Sequence, residues 1–420
     1  MAGAMSAPPH ERPAASASAP FSIQENMTSN PLGTMDSTPA LPLLEQALRL
    51  ALGQLHANLA RFGDRFPDDT TQHNQYTLRR YGECSDGANS GWTSGFWTGM
   101  LWAAYELSGE LAFRDCAAGQ LASFEQRLVQ RIQVEHHDLG FLYMPSSIAA
   151  WRITGDREAR RVALAAAACL MERYLPRAGI IQAWGDLDDP EQRGRIIIDC
   201  LMNLPLLHWA GAQSGEPAFR LAALSHLRKS RDYLLRPDHS SFHTYYFDPD
   251  SGAPLRGSTA QGKSDDSCWA RGQAWGIYGF ALNHRYAPDL GLLEVASQQA
   301  DYFLQRLPSN GVAYWDLAYG DGSGEPWDSS ASAIAACGLL ELAEQLPLGE
   351  ALVRYRGAAL QILHGLAEHC SASRPASDAL LLHGVYSKPH GQGIDEANLW
   401  GDFFYLEGLA RATRGWTSYW

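Results

Sequence analysis

The chain has 420 residues and a formal net charge of −13, with 45% hydrophobic and 19% charged residues. That is enough apolar material for a large core. The acidic balance excludes general binding to a nucleic-acid backbone, which needs dense Lys and Arg, and an anionic ligand would have to be met by a local basic group.

Residues 1–40 are rich in Ala, Ser and Pro and carry no basic segment followed by an apolar one. They read as a disordered extension and not as a secretory leader. From residue 41, "LLEQALRLALGQLHANLARF" repeats apolar residues at three- and four-residue spacing. The same period returns over 94–107, 111–131, 142–154, 157–174, 200–213, 217–234, 268–285, 291–307, 328–345, 349–368 and 397–413, which predicts about twelve helices. The joints "LSGE", "ITGD" and "QSGEP" place Gly after a periodic run, where a left-handed cap fits, and then an acid suited to the next N-terminus. Such joints predict antiparallel helical hairpins.

Two segments break the period, 178–198 and 240–266. The second alternates aromatic and polar residues before "DPDSG" and reads as a short β-ribbon or structured loop. Both are rich in Trp, Tyr, His, Arg and Gln, the chemistry of sugar recognition. The pattern predicts a single all-α domain over 41–420, an (α/α)6 barrel with short β-ribbon insertions. A solenoid would show a fixed short repeat, and none is present. No apolar run is long enough to span a bilayer. Cys84, Cys116, Cys169, Cys200, Cys268, Cys337 and Cys370 are widely spaced without a CxxC pair. They read as reduced, packed thiols of a cytoplasmic protein.

Asp199 stands in "RIIIDCLMNLPLLHWA". Burying an unpaired carboxylate is costly, so Asp199 is either satisfied by backbone N–H groups or kept for a task. Its neighbours Ile196, Ile197, Ile198 and Leu201 would desolvate it and raise its pKa, which suits a general acid. Asp138, in "VEHHDLGFLYMPSS", reads either as a helix N-cap or as part of a polar cluster with His136 and His137. Two carboxylates at helix mouths are suitable equipment for acid/base work on sugars. In "SCWARGQAWGIYGFAL", Arg271 and Trp275 share a helix face, near Trp269. Ala270, Gly272, Ala274 and Gly276 would let a flat ring approach, and Arg could grip a carboxylate as a bidentate fork. The alternative is helix packing. Trp92, Trp184, His243, Gln261 and Tyr386 are scattered through loops, Trp97 and Trp102 read as core, and Trp327, Asp328, Ser329 and Ser330 read as a capped helix entry.

The blocks "GWTSGFWTGMLWAAYE", "HHDLGFLY", "IIQAWGD", "RIIIDCLMNLPLLHWA", "FHTYYFDPDSG", "STAQGKSDDSCWARGQAWGIYGFAL", "GVAYWDL", "DSSASAIAACGLLELA" and "NLWGDFFYLEGLAR" occur in that order. Together they resemble the unsaturated glucuronyl hydrolases of glycoside hydrolase family 88, over roughly residues 41–420. The resemblance implies an (α/α)6 barrel acting on an oligosaccharide left by a polysaccharide lyase. Such a substrate has a 4,5-unsaturated uronic acid at its non-reducing end, and the enzyme hydrates its vinyl-ether double bond. It implies that Asp199 is the general acid and base and Asp138 the second essential acid. Trp92, Trp184, His243, Gln261, Trp269, Arg271, Trp275 and Tyr386 fall on substrate-contact positions, and His137 is grouped with them. The vinyl ether is already polarised, so no metal or other cofactor is expected, and a monomer or weak homodimer is the expected assembly. Some relatives carry His just before the Gln of "TAQG", where this chain has Ala260. In others the loop over 384–402 carries S-x-x-S-x-K; here His390 and Gln392 replace the second Ser and the Lys, which implies a preference for unsulfated ligands. The related family 105 unsaturated rhamnogalacturonyl hydrolases, a sugar epimerase on an α/α barrel and a non-catalytic sugar-binding protein are the alternatives.

Overall fold

A helix that is apolar on one stripe packs at the surface of a fold, and one that is apolar all round is buried in it. Both kinds alternate along this chain. The structure is a computed structural model and describes residues 40–420 apart from 190 and 374, so the extension expected over 1–40 lies outside the described residues but for its last position. Outer helices are α1 (Ala40–Phe62), α3 (Leu111–Val129), α6 (Arg157–Met171), α8 (Pro217–Tyr233), α10 (Leu292–Arg306) and α12 (Glu350–His369). Inner positions are taken by α2 (Ser94–Ser108), the pair α4 (Leu139–Tyr143) and α5 (Ala149–Thr154), α7 (Leu204–Ser214), α9 (Ala270–His284), α11 (Ser329–Gln345) and α13 (Leu399–Arg414). The outer α6 buries only a stripe that includes Ala159, Val162, Ala163, Ala166 and Leu170. The inner α11 is buried continuously from Ser329 to Ala343. The inner helices pack side by side, and α13 closes the ring on α2. This is an (α/α)6 barrel.

The predicted helices match with small shifts. The one expected over 142–154 begins at Leu139 and is split by a π turn over Met144–Ile148. Pro145, inside that turn, brings no N–H to the helical ladder, so the hydrogen-bond register slips. The hairpin joints are as expected: Gly109, Gly155 and Gly215 cap with φ of 75°, 75° and 76°. Asp156 accepts from the backbone N–H groups of Glu158 and Ala159, and Glu216 from that of Ala218. Glu110 departs from this pattern: its carboxylate lies 2.8 Å from His56 Nδ1 and makes no cap bond.

The chain between outer and inner helices supplies the short strands. β1 (Tyr174–Leu175) pairs with β2 (Ile180–Ile181), and β3 (Arg195–Ile197), β4 (Thr244–Phe247) and β5 (Pro254–Ser258) form an antiparallel sheet in that order. β6 (Gly384–Ser387) and β7 (Gln392–Glu396) form a third ribbon, where the sequence pattern predicts a plain loop. These segments lead into the N-termini of inner helices, so the irregular chain gathers at one end of the barrel. Toward the opposite end lies a charge network, in which buried Arg411 Nη2 is 3.0 Å from Glu341 and 2.9 Å from Glu344, and Nη1 is 3.5 Å from Glu407. Tyr278 donates to Glu407, and Trp420 Nε1 lies 3.3 Å from it. The seven cysteines are free thiols. Among the described residues, no helix is long and apolar enough to cross a membrane.

Candidate active site

A cavity of about 350 Å³ opens among the N-termini of the inner helices. Its floor begins with the turn that follows β3. Ile196 and Ile197 are buried in the strand, and Ile198 N–H donates to His243 O at 3.1 Å. The strand then tightens into a 3-10 turn over Ile198–Met202, which sends Ile198, Cys200, Leu201 and Met202 into the core. Asp199 is the residue of that turn left facing the cavity.

Asn203 ties this turn to the entry of α4: its Nδ2 donates to Asp199 O at 3.3 Å, and its Oδ1 accepts from Phe141 N–H at 2.9 Å. The approach is so close that a Cβ on Gly140 would stand 2.4 Å from Asn203 Cα, so glycine is required there. That contact brings Asp138 beside Asp199. Asp138 occupies the N-cap position of α4, yet its side chain makes no cap bond. It faces two imidazoles instead, with Oδ2 3.2 Å from His136 Nδ1 and Oδ1 3.2 Å from His137 Nε2. The same His137 Nε2 is 3.2 Å from Asp199 Oδ1. One N–H cannot point at both acids, and Asp199 Oδ1 and His137 Nδ1 have no hydrogen-bond partner.

The electrostatics follow from this arrangement. Burial disfavours the charged form of His137, but Asp138 and Asp199 on either side outweigh it and hold the imidazole well above its ordinary range. Burial would also raise Asp138, and His137 with His136 reverses that, holding it below the usual carboxylate range. Asp199 goes the other way. Its burial raises its pKa, the charge of Asp138 adds to the effect, and His137 only partly offsets them. Two neighbouring acids are thus split into one that is ionised and one that is more easily protonated, the pattern of an acid/base pair.

Every residue singled out as a site candidate lines this cavity: besides the two acids and His137, these are Trp92, Trp184, His243, Gln261, Trp269, Arg271, Trp275 and Tyr386. Their parts differ. His243 Nδ1 accepts the Ala260 N–H at 3.2 Å, which places a neutral ring's proton on Nε2. Burial pushes His243 down to about 3 and keeps it neutral. Ala260 therefore contributes to this wall through its backbone N–H. Trp269 lies edge-on to His243 at 4.9 Å, and Trp184, 37% exposed, stands at the lip. Trp92 Nε1 donates to Tyr386 Oη at 3.0 Å.

Several expectations need correction. Arg271 is not a free fork: Nη1 is 2.6 Å from Asp328 Oδ2 and also bonds Val385 O, while Nη2 donates to Gln261 Oε1 at 2.9 Å and Tyr386 O at 2.6 Å. A buried guanidinium must have its donors satisfied, so it pins the surrounding loops, and a bidentate grip on a ligand would break these bonds. For the same reason Asp328 spends its carboxylate on Arg271 and Ser330 and makes no side-chain cap bond to α11. The small residues of α9 admit protein neighbours: a Cβ on Gly272 would come within 2.7 Å of the Trp269 ring, and one on Gly276 within 2.2 Å of Gln299. Trp275 is only 1% exposed and packs against Phe141 and Phe404, so it offers an edge and not a stacking face.

Tyr81, Gly91, Gln133 and His136 also line the cavity. Of these, only His136 stood out in the sequence, as a neighbour of Asp138. Gln133 Oε1 accepts the Gly91 N–H at 2.6 Å, and buried Arg127 binds both Gly91 O and Gln133 O at 2.8 Å. Their shared wall depends on contacts between separate segments of the chain, which no local pattern marks.

His137, Asp138 and Asp199 present donor atoms within 4.8 Å of one another, the one such group among the described residues. An imidazole and two carboxylates are chemically able to ligate a cation. Here the proton on His137 already supplies the positive charge between the acids, and a metal would have to replace it.

An α/α barrel with a split carboxylate pair in an aromatic, polar cavity defines the class of glycoside hydrolases that work by acid/base catalysis. The comparisons with known proteins agree. The model of Glycosyl Hydrolase Family 88 matches residues 61–406, and the chain belongs to that family. It is 47% identical to an unsaturated glucuronyl hydrolase of Bacillus sp. (strain GL1), over 90% of this chain and 98% of that protein. It is 44% identical to an unsaturated chondroitin disaccharide hydrolase of Streptococcus pyogenes serotype M1, over 90% and 93%. The crystal structure of the Bacillus sp. GL1 enzyme superposes with a TM-score of 0.85 at 46% identity, covering 90% of this chain and 98% of that one.

Proposed function

We propose that the chain releases the 4,5-unsaturated uronic acid from the non-reducing end of lyase-generated oligosaccharides by hydrating the double bond. The relatives named above are an unsaturated glucuronyl hydrolase and an unsaturated chondroitin disaccharide hydrolase, which supports this reading. The observation that carries the mechanism is the splitting of Asp138 and Asp199 about His137. Asp199, raised by burial, gives its proton to C4 of the alkene. The electron pair of the double bond forms the C4–H bond, and positive charge develops at C5, shared with the ring oxygen. The carboxylate left on Asp199 then takes a proton from the water that bonds to C5. Asp199 is thereby protonated again. The C5 hydroxyl gives its proton to the ring oxygen as the C5–O bond breaks to a ketone. The hemiacetal left at C1 gives its hydroxyl proton to the glycosidic oxygen as that bond breaks, releasing an aldehyde and the remaining saccharide. Asp138 stays ionised and accepts from ring hydroxyls, while the His137 charge keeps both acids in place. Trp184 and Trp269 supply ring surface to the sugar.

The seven free thiols support a cytoplasmic setting, and residues 41–420 act as the catalytic domain. Unsulfated saccharides are the better substrates, because Lys388 lies 3.8 Å from Glu325 and Ser387 is bonded to His390, so neither is free to meet a sulfate. The test is loss of the alkene's ultraviolet absorbance on an unsulfated unsaturated uronyl disaccharide. The wild-type protein consumes the alkene; a protein that leaves it intact while binding the sugar is a lectin, and the proposal fails.

A further inference from the structure

The polar surface does not stop at Trp184. At the lip of the cavity the guanidinium of Arg195 lies 5.1 Å from the centre of the Trp184 ring. Arg195 begins β3, and its partner in register is Tyr246 on β4, whose own partner is Arg256 on β5. Residues directly opposite one another across a sheet share a face. The contacts agree: Arg195 is 5.9 Å and Arg256 4.3 Å from the centre of the Tyr246 ring. A row of alternating ring and cation therefore leaves the cavity and crosses the sheet. Strands lie about 4.8 Å apart, so the row carries Arg256 about 10 Å beyond Arg195.

These two cations are not neutralised by the protein. Arg195 donates its Nε to Gln192 O at 3.0 Å, and among the described residues no carboxylate pairs with Arg195 or Arg256. The neighbouring Arg193 does face an acid, Asp250, at 3.7 Å. The adjoining loop carries Asp186, Asp188, Asp189 and Glu191, yet none of them pairs with either arginine, so two unpaired cations stand in line with the cavity. Charge of that sign at a cleft draws in an anion and holds it.

We propose that the row Trp184, Arg195, Tyr246 and Arg256 is an anion subsite for the second uronate of a longer oligosaccharide whose unsaturated end occupies the cavity. The inference rests on the hydrolase reading above and extends it to chain length: a tetrasaccharide with a second uronate is preferred to the disaccharide. Both carry one scissile end, so the preference reports binding beyond the cavity.

The experiment measures kcat/KM for the unsulfated unsaturated disaccharide and the corresponding tetrasaccharide, with wild type, Arg256→Gln and Arg256→Lys, at low and moderate salt. The wild type favours the tetrasaccharide about fivefold at low salt, the upper range for an exposed charge pair, and less as salt screens it. Arg256→Gln lowers that ratio through the tetrasaccharide KM, and Arg256→Lys restores part of it. A ratio of one in wild type, or a ratio unchanged in Arg256→Gln, overturns the subsite and leaves the row as cross-strand packing. If neither saccharide is consumed, the hydrolase reading fails first and the subsite falls with it.

Discussion

Toward the end of the barrel opposite the cavity, Arg411 sits among Glu341, Glu344 and Glu407, with Arg285 and Tyr278 completing the shell. At the cavity end, His137 sits between Asp138 and Asp199 in a similar grouping of one cation with acids. The two differ in completeness. The partners of Arg411 are all engaged, whereas Asp199 Oδ1 and His137 Nδ1 have no hydrogen-bond partner and their group faces an open cavity. A satisfied buried network holds a structure in one arrangement; one left short of partners costs stability and is available for chemistry. The difference between the ends lies in what was left unmade.

The sharpest way to break that comparison is Asp199→Asn. Turnover should fall by at least about 10²–10⁴, the range for a lone acid/base group, while the melting temperature holds or rises, because a neutral amide replaces a desolvated acid. A melting temperature well below wild type would place Asp199 with the structural charges. Asp138→Asn comes next, with a loss of about 10² or more in kcat. It also removes one of the two carboxylates that raise His137, so the imidazole gives up its proton at lower pH. Any limb of the pH–rate profile set by His137 should move to lower pH; an unmoved profile with lost activity would separate Asp138 from His137.

At the opposite end the expected effect is on stability. Arg411→Met leaves buried carboxylates uncompensated and should cost about 3–5 kcal/mol, while the folded fraction keeps its kcat. Loss of turnover without loss of stability would contradict the division between the ends. The smallest effect belongs to Asp402, a buried acid of α13 that accepts from the N–H groups of Leu380 and Leu381 and from Tyr76 Oη. Burial pushes it up to about 8. Because the folded value lies above the unfolded one, about 3.9, its contribution is complete at low pH and is lost as pH rises toward 8. Asp402→Asn should therefore gain in melting temperature over wild type, on the order of a few degrees at pH 8 and fading toward about pH 4. A gain that does not change with pH would rule out Asp402 titration as its source.

Much of this was legible in the chain itself. The three- and four-residue apolar period marks about twelve helices and the glycine joints mark the hairpins, so local pattern was sufficient for the barrel. Asp199 announced itself as a charge in an apolar run. The role of His137 did not, because it depends on Asn203 drawing the turn at Asp199 onto the entry of α4. Arg271 misled for the same reason: its acceptors Asp328, Val385 and Tyr386 are 57, 114 and 115 positions away, and nothing local says that its donors are already engaged. The wall formed by Gln133 and Gly91 was missed because segment 63–93 has no period and Gln133 carries no special chemistry of its own.

The central claim is that Asp199 delivers a proton to C4 of the alkene, and turnover in deuterium oxide tests it most directly. After exchange, Asp199 carries deuterium, so the released uronate should hold one deuterium at C4, delivered to a single face, and the alkene should be gone. Deuterium on both faces of C4 at the earliest times would mean attack at the anomeric carbon, which frees an unsaturated uronate that opens and ketonises in solution, and would contradict delivery by Asp199.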